Sequence, residues 1–316
     1  MSKKNKRRND RGINFKFASK KWLAYTKLHV KRSTYENYVY LLNKHIYPYF
    51  GNADMYKINC SMLNAFTAEK LTNGRLKRKG GISKKYLQDM LSIVRSVIKF
   101  SEQEYGIPNK IHSVRGLKGE KPKFRILKKE EQTLLTGVLM KEDDPMRLGI
   151  LLSLYTGMRI GEVCGLKWKD FHEDEGTVTI RRTVQRISDN KGSTIFLIGT
   201  PKTQTSARII PLPGAICKVL SKSKGDPDKA VISDRRDYAE PSELRKYFKR
   251  LLKKCGIKSI RYHDLRHTFA SNCVQLDFDI KTLSEILGHA DVSMTLNRYV
   301  HSSLQIKRHY MGLINI

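Results

Sequence analysis

Acidic residues are scarce in this chain: 30 Asp and Glu stand against 61 Lys and Arg, which leaves a formal net charge of +31 and a sequence pI near 10.0 over 316 residues. Long hydrophobic runs are lacking too. None approaches the roughly 18 residues that a membrane-spanning helix needs, and the basic start, Met1 to Arg8, is followed by no apolar signal core. These absences argue against a membrane partner and for the cytoplasm as the place of action. The five cysteines, Cys60, Cys164, Cys217, Cys255 and Cys273, are scattered and form no C-x-x-C pair. That excludes a zinc ribbon or a disulfide framework and leaves reduced thiols, most of them core fillers. Neither a G-x-x-x-x-G-K-S/T loop nor a carboxylate cluster suited to divalent metals is present, so the expectation is no cofactor and no metal.

What the sequence does have is positive charge, unevenly placed. Residues 1–125 hold 29 Lys and Arg against 8 Asp and Glu, and residues 126–316 hold 32 against 22. A field of that sign attracts polyanions and says nothing about fold; with the membrane set aside, nucleic acid is the expected partner. Hydrophobic residues at 40% are enough for ordinary cores, and the length suggests about two domains.

Residues 1–12 read as a basic tail, with room for no folded module before the first helix. Helical periodicity then carries Phe17, Trp22, Leu23 and Tyr25, and after a cap at Ser33 or Thr34 it carries Tyr35, Tyr38, Leu41, Leu42 and Ile46. Further helices are expected near 61–71 and 83–105, separated by a glycine-punctuated basic loop, residues 73–81, that includes Lys77, Arg78 and Lys79. Residues 13–106 thus read as one all-helical domain. Residues 107–125 are rich in Pro, Gly and Lys and read as an interdomain linker. Lys121, Lys123 and Arg125 there are either phosphate contacts or solvated loop charges. Residues 126–316 read as mostly helical around a small antiparallel sheet, with strands near 177–180, 195–198 and 208–210 and helices near 128–140, 146–155, 240–254, 262–276, 281–287, 292–300 and 304–311.

Four islands in this second segment carry polarity that a core does not need. In T-G-M-R-I-G-E (156–162), Arg159 sits at a helix junction with Glu162 three residues on, either as a structural ion pair or as a phosphate-binding group. Gly199 and Pro201 mark a turn between two strands, which places Lys202 near a hairpin tip, where lysines are ordinarily just solvated. In H-D-L-R-H-T-F-A (263–270), His263 and Arg266 leave one side of a helix beside an apolar stripe and form either an anion pocket or a boundary helix with a satisfied histidine. In L-G-H-A-D-V-S-M-T-L-N-R-Y (287–299), Gly288 ends a helix, Asp291 caps the next, His289 lies in the bend and Tyr299 follows about two and a half turns later.

Taken together in this order, the islands supply what metal-free attack on a phosphodiester requires: cations for the non-bridging oxygens, a hydroxyl nucleophile and a proton donor. The chain resembles the tyrosine recombinase, or phage integrase, family, whose signature matches Arg159, Lys202, His263, Arg266, His289 and Tyr299 in order. The resemblance covers nearly all of the second segment and, more weakly, the helical first segment, which looks like the family's core-DNA-binding domain with a SAM-like bundle. It implies that Tyr299 attacks the scissile phosphate to form a 3′-phosphotyrosyl link and free a 5′-hydroxyl. Arg159, Arg266 and His289 would neutralise the phosphate, Lys202 would protonate the leaving oxygen, and His263 would orient or deprotonate the attacking hydroxyl.

The resemblance further implies a mainly α protein that closes on duplex DNA as a C-shaped clamp and acts as a homotetramer on two attachment or core sites. An excisionase or a host DNA-bending factor would be an accessory partner. The stretch holding Leu304, Ile306, Tyr310, Met311, Leu313 and Ile314 would dock either onto a neighbouring subunit or in cis. The expected activity is site-specific recombination that integrates or excises a mobile element. The alternatives are a Xer-like dimer resolvase, a type IB topoisomerase-like enzyme and a catalytically silent DNA-binding regulator.

Overall fold

Asn14 starts the first helix: its side-chain oxygen accepts from the Phe17 amide at 2.8 Å, and α1 (Phe15–Lys27) follows. The computed structural model describes residues 12–76, 78–111, 124–188, 194–199, 207–233, 236–289, 291–293, 295–296, 308 and 311–312. Residues 1–11 of the expected tail (1–12), most of the linker and most of the segment after Leu296 lie outside the described residues. Two compact units divide the chain, residues 1–122 with 187–195 and residues 123–186 with 196–316. Among the described residues, no helix is long and apolar enough to cross a membrane.

The described residues within 12–111 of the first unit form helices joined by turns. α2 (Arg32–Leu41) runs through a π-helical turn, Leu42–Ile46, into α3 (Tyr47–Phe50). It begins earlier than the Ser33 or Thr34 cap expected from sequence: the turn after α1 delivers the chain at Lys31, so both hydroxyl residues fall inside the first helical turn. α4 (Cys60–Asn73) is capped by Asn59, and α5 (Lys84–Tyr105) is capped by Ser83. The core is aromatic at its centre, with Phe50 packed against Phe15 and Phe66 at ring separations of 5.7 and 5.1 Å. Leu87, Leu91, Val94 and Ile98 of α5 cover it from one face, which is the helical spacing seen in the sequence.

In the second unit, α6 (Lys129–Leu139) precedes α7 (Met146–Thr156), which is apolar all round. Leu148, Ile150, Leu151, Leu152 and Leu154 are all buried, which makes α7 the central core helix. The short α8 (Ile160–Gly165) leads to a sheet of order β1-β2-β5, where β1 is Phe171–His172, β2 is Thr177–Ile180 and β5 is Arg208–Pro211. Its pairs are antiparallel, with Val178 opposite Phe171 on one side and Ile210 on the other, and Ile180 opposite Arg208. β3 (Thr183–Ser188) and β4 (Thr194–Gly199) form a separate two-stranded sheet. α9 (Gly214–Lys222), α10 (Pro241–Lys254), α11 (His263–Gln275) and α12 (Ile280–Leu287) complete the described elements.

The expected hairpin between the strands flanking Lys202 is corrected: β4 pairs with β3, and β5 pairs with β2. The reason is burial. β5 brings Ile210 to the core beside Val178, whereas β4 leaves Phe196 and Ile198 about half exposed and buries neither of its faces. β1, β3 and α9 were not anticipated; β1 is too short to show a period.

Candidate active site

Two helix ends converge on the T-G-M-R-I-G-E island. α7 ends at Gly157, whose left-handed backbone (φ +68°) turns the chain so that Arg159 occupies the N-cap position of α8. A Cβ on Gly157 would stand 2.6 Å from Phe269 and 2.7 Å from Leu287, so α11 and α12 both press on this turn. The Gly157 carbonyl accepts from Arg266 Nη1 at 2.9 Å, which joins the second candidate arginine to the first island.

α12 supplies the third member. It ends at Gly288, also left-handed (φ +62°), and the Gly288 carbonyl accepts from Arg159 Nη2 at 3.0 Å. His289 is the next residue, and its Nδ1 lies 2.8 Å from the hydroxyl of the buried Thr295, which fixes the ring plane. Arg159, Arg266 and the His289 turn are therefore linked through two direct hydrogen bonds.

Glu162 organises the cations. Its carboxylate accepts from the Arg159 amide at 2.9 Å and from Arg159 Nη1 at 2.8 Å. It also accepts from Arg208 Nη1 at 3.2 Å and Nη2 at 3.0 Å. Burial on its own would raise the Glu162 pKa, but Arg208 and Arg159 outweigh it and hold the carboxyl below its ordinary value. The group is therefore ionised at neutral pH, and one negative charge faces two positive ones.

His263 begins α11, three residues before Arg266, and is exposed. Its ring meets His267 edge-on at 4.8 Å, and Phe124 stacks on His267 at 4.5 Å. The base of α11 is anchored by Tyr262, whose hydroxyl donates to the Gly149 carbonyl at 2.8 Å and lies 2.8 Å from the Ser153 hydroxyl. Beside His263 opens a cavity of about 350 Å³ lined by Ile160, Arg245, Phe248, Lys249, Ile260, Arg261, Tyr262 and His263, with no carboxylate among them.

The structure thus brings Arg159, Arg266 and His289 together and places His263 on the same helix as Arg266. Lys202 and Tyr299 lie outside the described residues, as do Lys77, Lys121 and Lys123. Arg78 and Lys79 are exposed. Arg125 is engaged within the second unit, by Glu131 and by the Lys258 carbonyl at 3.0 Å. Sequence reasoning missed Arg208, Thr295, Arg245 and Lys249. A basic residue opening an apolar strand was the available signal for Arg208.

Comparison with known proteins gives matches to the phage integrase family over residues 125–305 and to the phage integrase N-terminal SAM-like domain over residues 14–69. The chain is similar to the ICEBs1 integrase of Bacillus subtilis (strain 168), at 23% identity over 308 residues, covering 93% of this chain and 80% of that protein. It is also similar to a tyrosine recombinase XerC-like protein of Caldanaerobacter subterraneus subsp. tengcongensis, at 28% identity over 167 residues, but there it spans only 43% of the relative's length and 46% of its own. In fold it is similar to the Tn1549 transposon integrase solved in complex with circular intermediate DNA, with a TM-score of 0.77 at 18% identity, covering 95% of this chain and 99% of that one.

Proposed function

Because the chain belongs to the phage integrase family, we propose that it is a site-specific DNA recombinase of mobile-element type, which breaks and rejoins duplex DNA through a 3′-phosphotyrosine. The observation that carries this reading is the linked set of Arg159, Arg266 and His289 around Glu162, a preorganised cationic cradle of the kind that stabilises charge developing on a phosphoryl group. Tyr299 is the nucleophile: its oxygen bonds to phosphorus and the bond to the 5′ oxygen breaks. The departing oxygen takes its proton from Lys202, and His263 orients or accepts the proton of the attacking hydroxyl. The phosphotyrosyl link conserves the energy of the backbone bond, so religation needs no nucleotide.

The division of labour follows the charge. The helical unit from about residue 13 to 106, the loop at Lys77, Arg78 and Lys79, and the linker lysines Lys121 and Lys123 grip phosphates without regard to sequence. The second unit, from about residue 126, performs the chemistry. Exchange between two sites breaks four strands, each needing its own nucleophile, which supports a homotetramer on two attachment or core sites. The segment after Tyr299 docks onto a neighbouring subunit in that assembly, and an excisionase or a host DNA-bending factor sets direction. The site of action is the cytoplasm, where the DNA is.

A nicked suicide substrate tests the reading. Wild type should trap a covalent adduct on its cognate site and Tyr299→Phe should not; absence of any wild-type adduct refutes it. Similarity to a XerC-like recombinase supports a second reading, resolution of replicon dimers, with the same chemistry on a different site. Products joining two labelled sites in one molecule, against two molecules, distinguish excision or resolution from integration.

A further inference from the structure

The buried partner of Glu162 is not Arg159 but Arg208. Side-chain exposures are 4% for Glu162, 7% for Arg208 and 35% for Arg159, and Arg208 makes two guanidinium bonds to the carboxylate where Arg159 makes one. Arg208 also donates from Nε to the Ile286 carbonyl at 2.6 Å, in the last turn of α12. Its guanidinium lies directly beneath Gly288, where an added Cβ would be 2.9 Å from Nη1. One side chain on β5 therefore touches both the carboxylate that orients Arg159 and the helix end that presents His289.

Resting on the recombinase reading, we infer that Arg208 is a positioning residue for phosphate activation: it neutralises Glu162 from the buried side and so leaves the charge of the outward-facing Arg159 for the scissile phosphate. Without Arg208, Glu162 and Arg159 become a closed pair with no net charge, and the turn before His289 loses its link to the sheet. With it, the three groups carry one net positive charge, and the half-exposed member presents it. Arg208 touches no substrate in this scheme; it acts through Arg159 and the His289 turn.

The test is single-turnover cleavage of prebound suicide DNA by the full chain, with either a phosphodiester or an uncharged methylphosphonate at the scissile position. Arg208→Met should slow phosphodiester cleavage by about 10- to 100-fold at unchanged DNA affinity. On the methylphosphonate, which has no phosphate charge to neutralise, the loss should fall to within about threefold. Arg208→Lys, which keeps the charge but not the fork, should recover part of the phosphodiester rate, and it carries the same comparison if the methionine variant fails to fold. Equal losses on both substrates would reduce Arg208 to general packing and overturn the inference, as would full activity of Arg208→Met. Wild type trapping no adduct on either DNA would instead overturn the recombinase reading, and this inference with it.

Discussion

Two glycine-to-alanine changes in the second unit should have opposite signs. Gly157 is at φ +68°, where a Cβ costs about 1–2 kcal/mol. The new methyl would also stand 2.6 Å from Phe269 and 2.7 Å from Leu287, an overpacking worth about another 1–3 kcal/mol. Gly157→Ala should therefore destabilise this unit by about 2–5 kcal/mol, a large fraction of the usual 5–15 kcal/mol total. Gly137, in the exposed face of α6, has nothing within 4 Å of its added Cβ, and Gly137→Ala should stabilise by about 0.5–1 kcal/mol through helix propensity. Urea unfolding followed by fluorescence can separate the units, because the chain has only two tryptophans: a Trp22→Phe background leaves the buried Trp168 as reporter of the second unit. The Gly157 carbonyl also receives Arg266, so Gly157→Ala should slow cleavage even where the protein remains folded, while Gly137→Ala should not. A Gly157→Ala variant within about 0.5 kcal/mol of the parent would refute the claim that α11 and α12 clamp this turn.

Changing Lys77, Arg78 and Lys79 to Gln should flatten the dependence of log K on log salt by up to about 0.9 for each phosphate that is no longer neutralised, measured by titration at several salt concentrations, while cleavage of already bound DNA persists. His45 should make the first unit acid-sensitive. Burial foremost, and then Lys70, holds its pKa below 6.5, so the stability it preserves is complete above pH 6.5 and is lost as pH falls towards the lowered folded-state value. His45→Phe should remove that slope in melts recorded between about pH 7 and pH 5, and an unchanged slope would assign it to other groups. Deleting residues 303–316 should spare binding to one site and abolish the pairing of two sites on native gels, and unchanged recombination would sink the docking proposal.

The candidate motifs were legible because each is local. Helix period, a glycine at a helix end and an i, i+3 pair can all be read within about a dozen residues, and Arg159, His263, Arg266 and His289 fell where those signals put them. Strand pairing was not legible in the same way. Segments 177–180, 195–198 and 208–210 were visible as strands, but pairing is a long-range choice made by which face the core accepts, and the exposed Phe196 and Ile198 of β4 did not satisfy it.

By itself the sequence determined the excess of positive charge, the helical first unit, the mostly helical second one and the order of the polar residues, since these depend on composition and on contacts between near neighbours. Only the tertiary structure decided that Arg159 donates to Gly288, that Arg266 donates to Gly157, and that Arg208, 46 positions from Glu162, is its buried counter-ion. Those bonds join elements far apart in the chain, and their geometry exists only once the α7 core helix, the β2–β5 pair and the end of α12 are packed together.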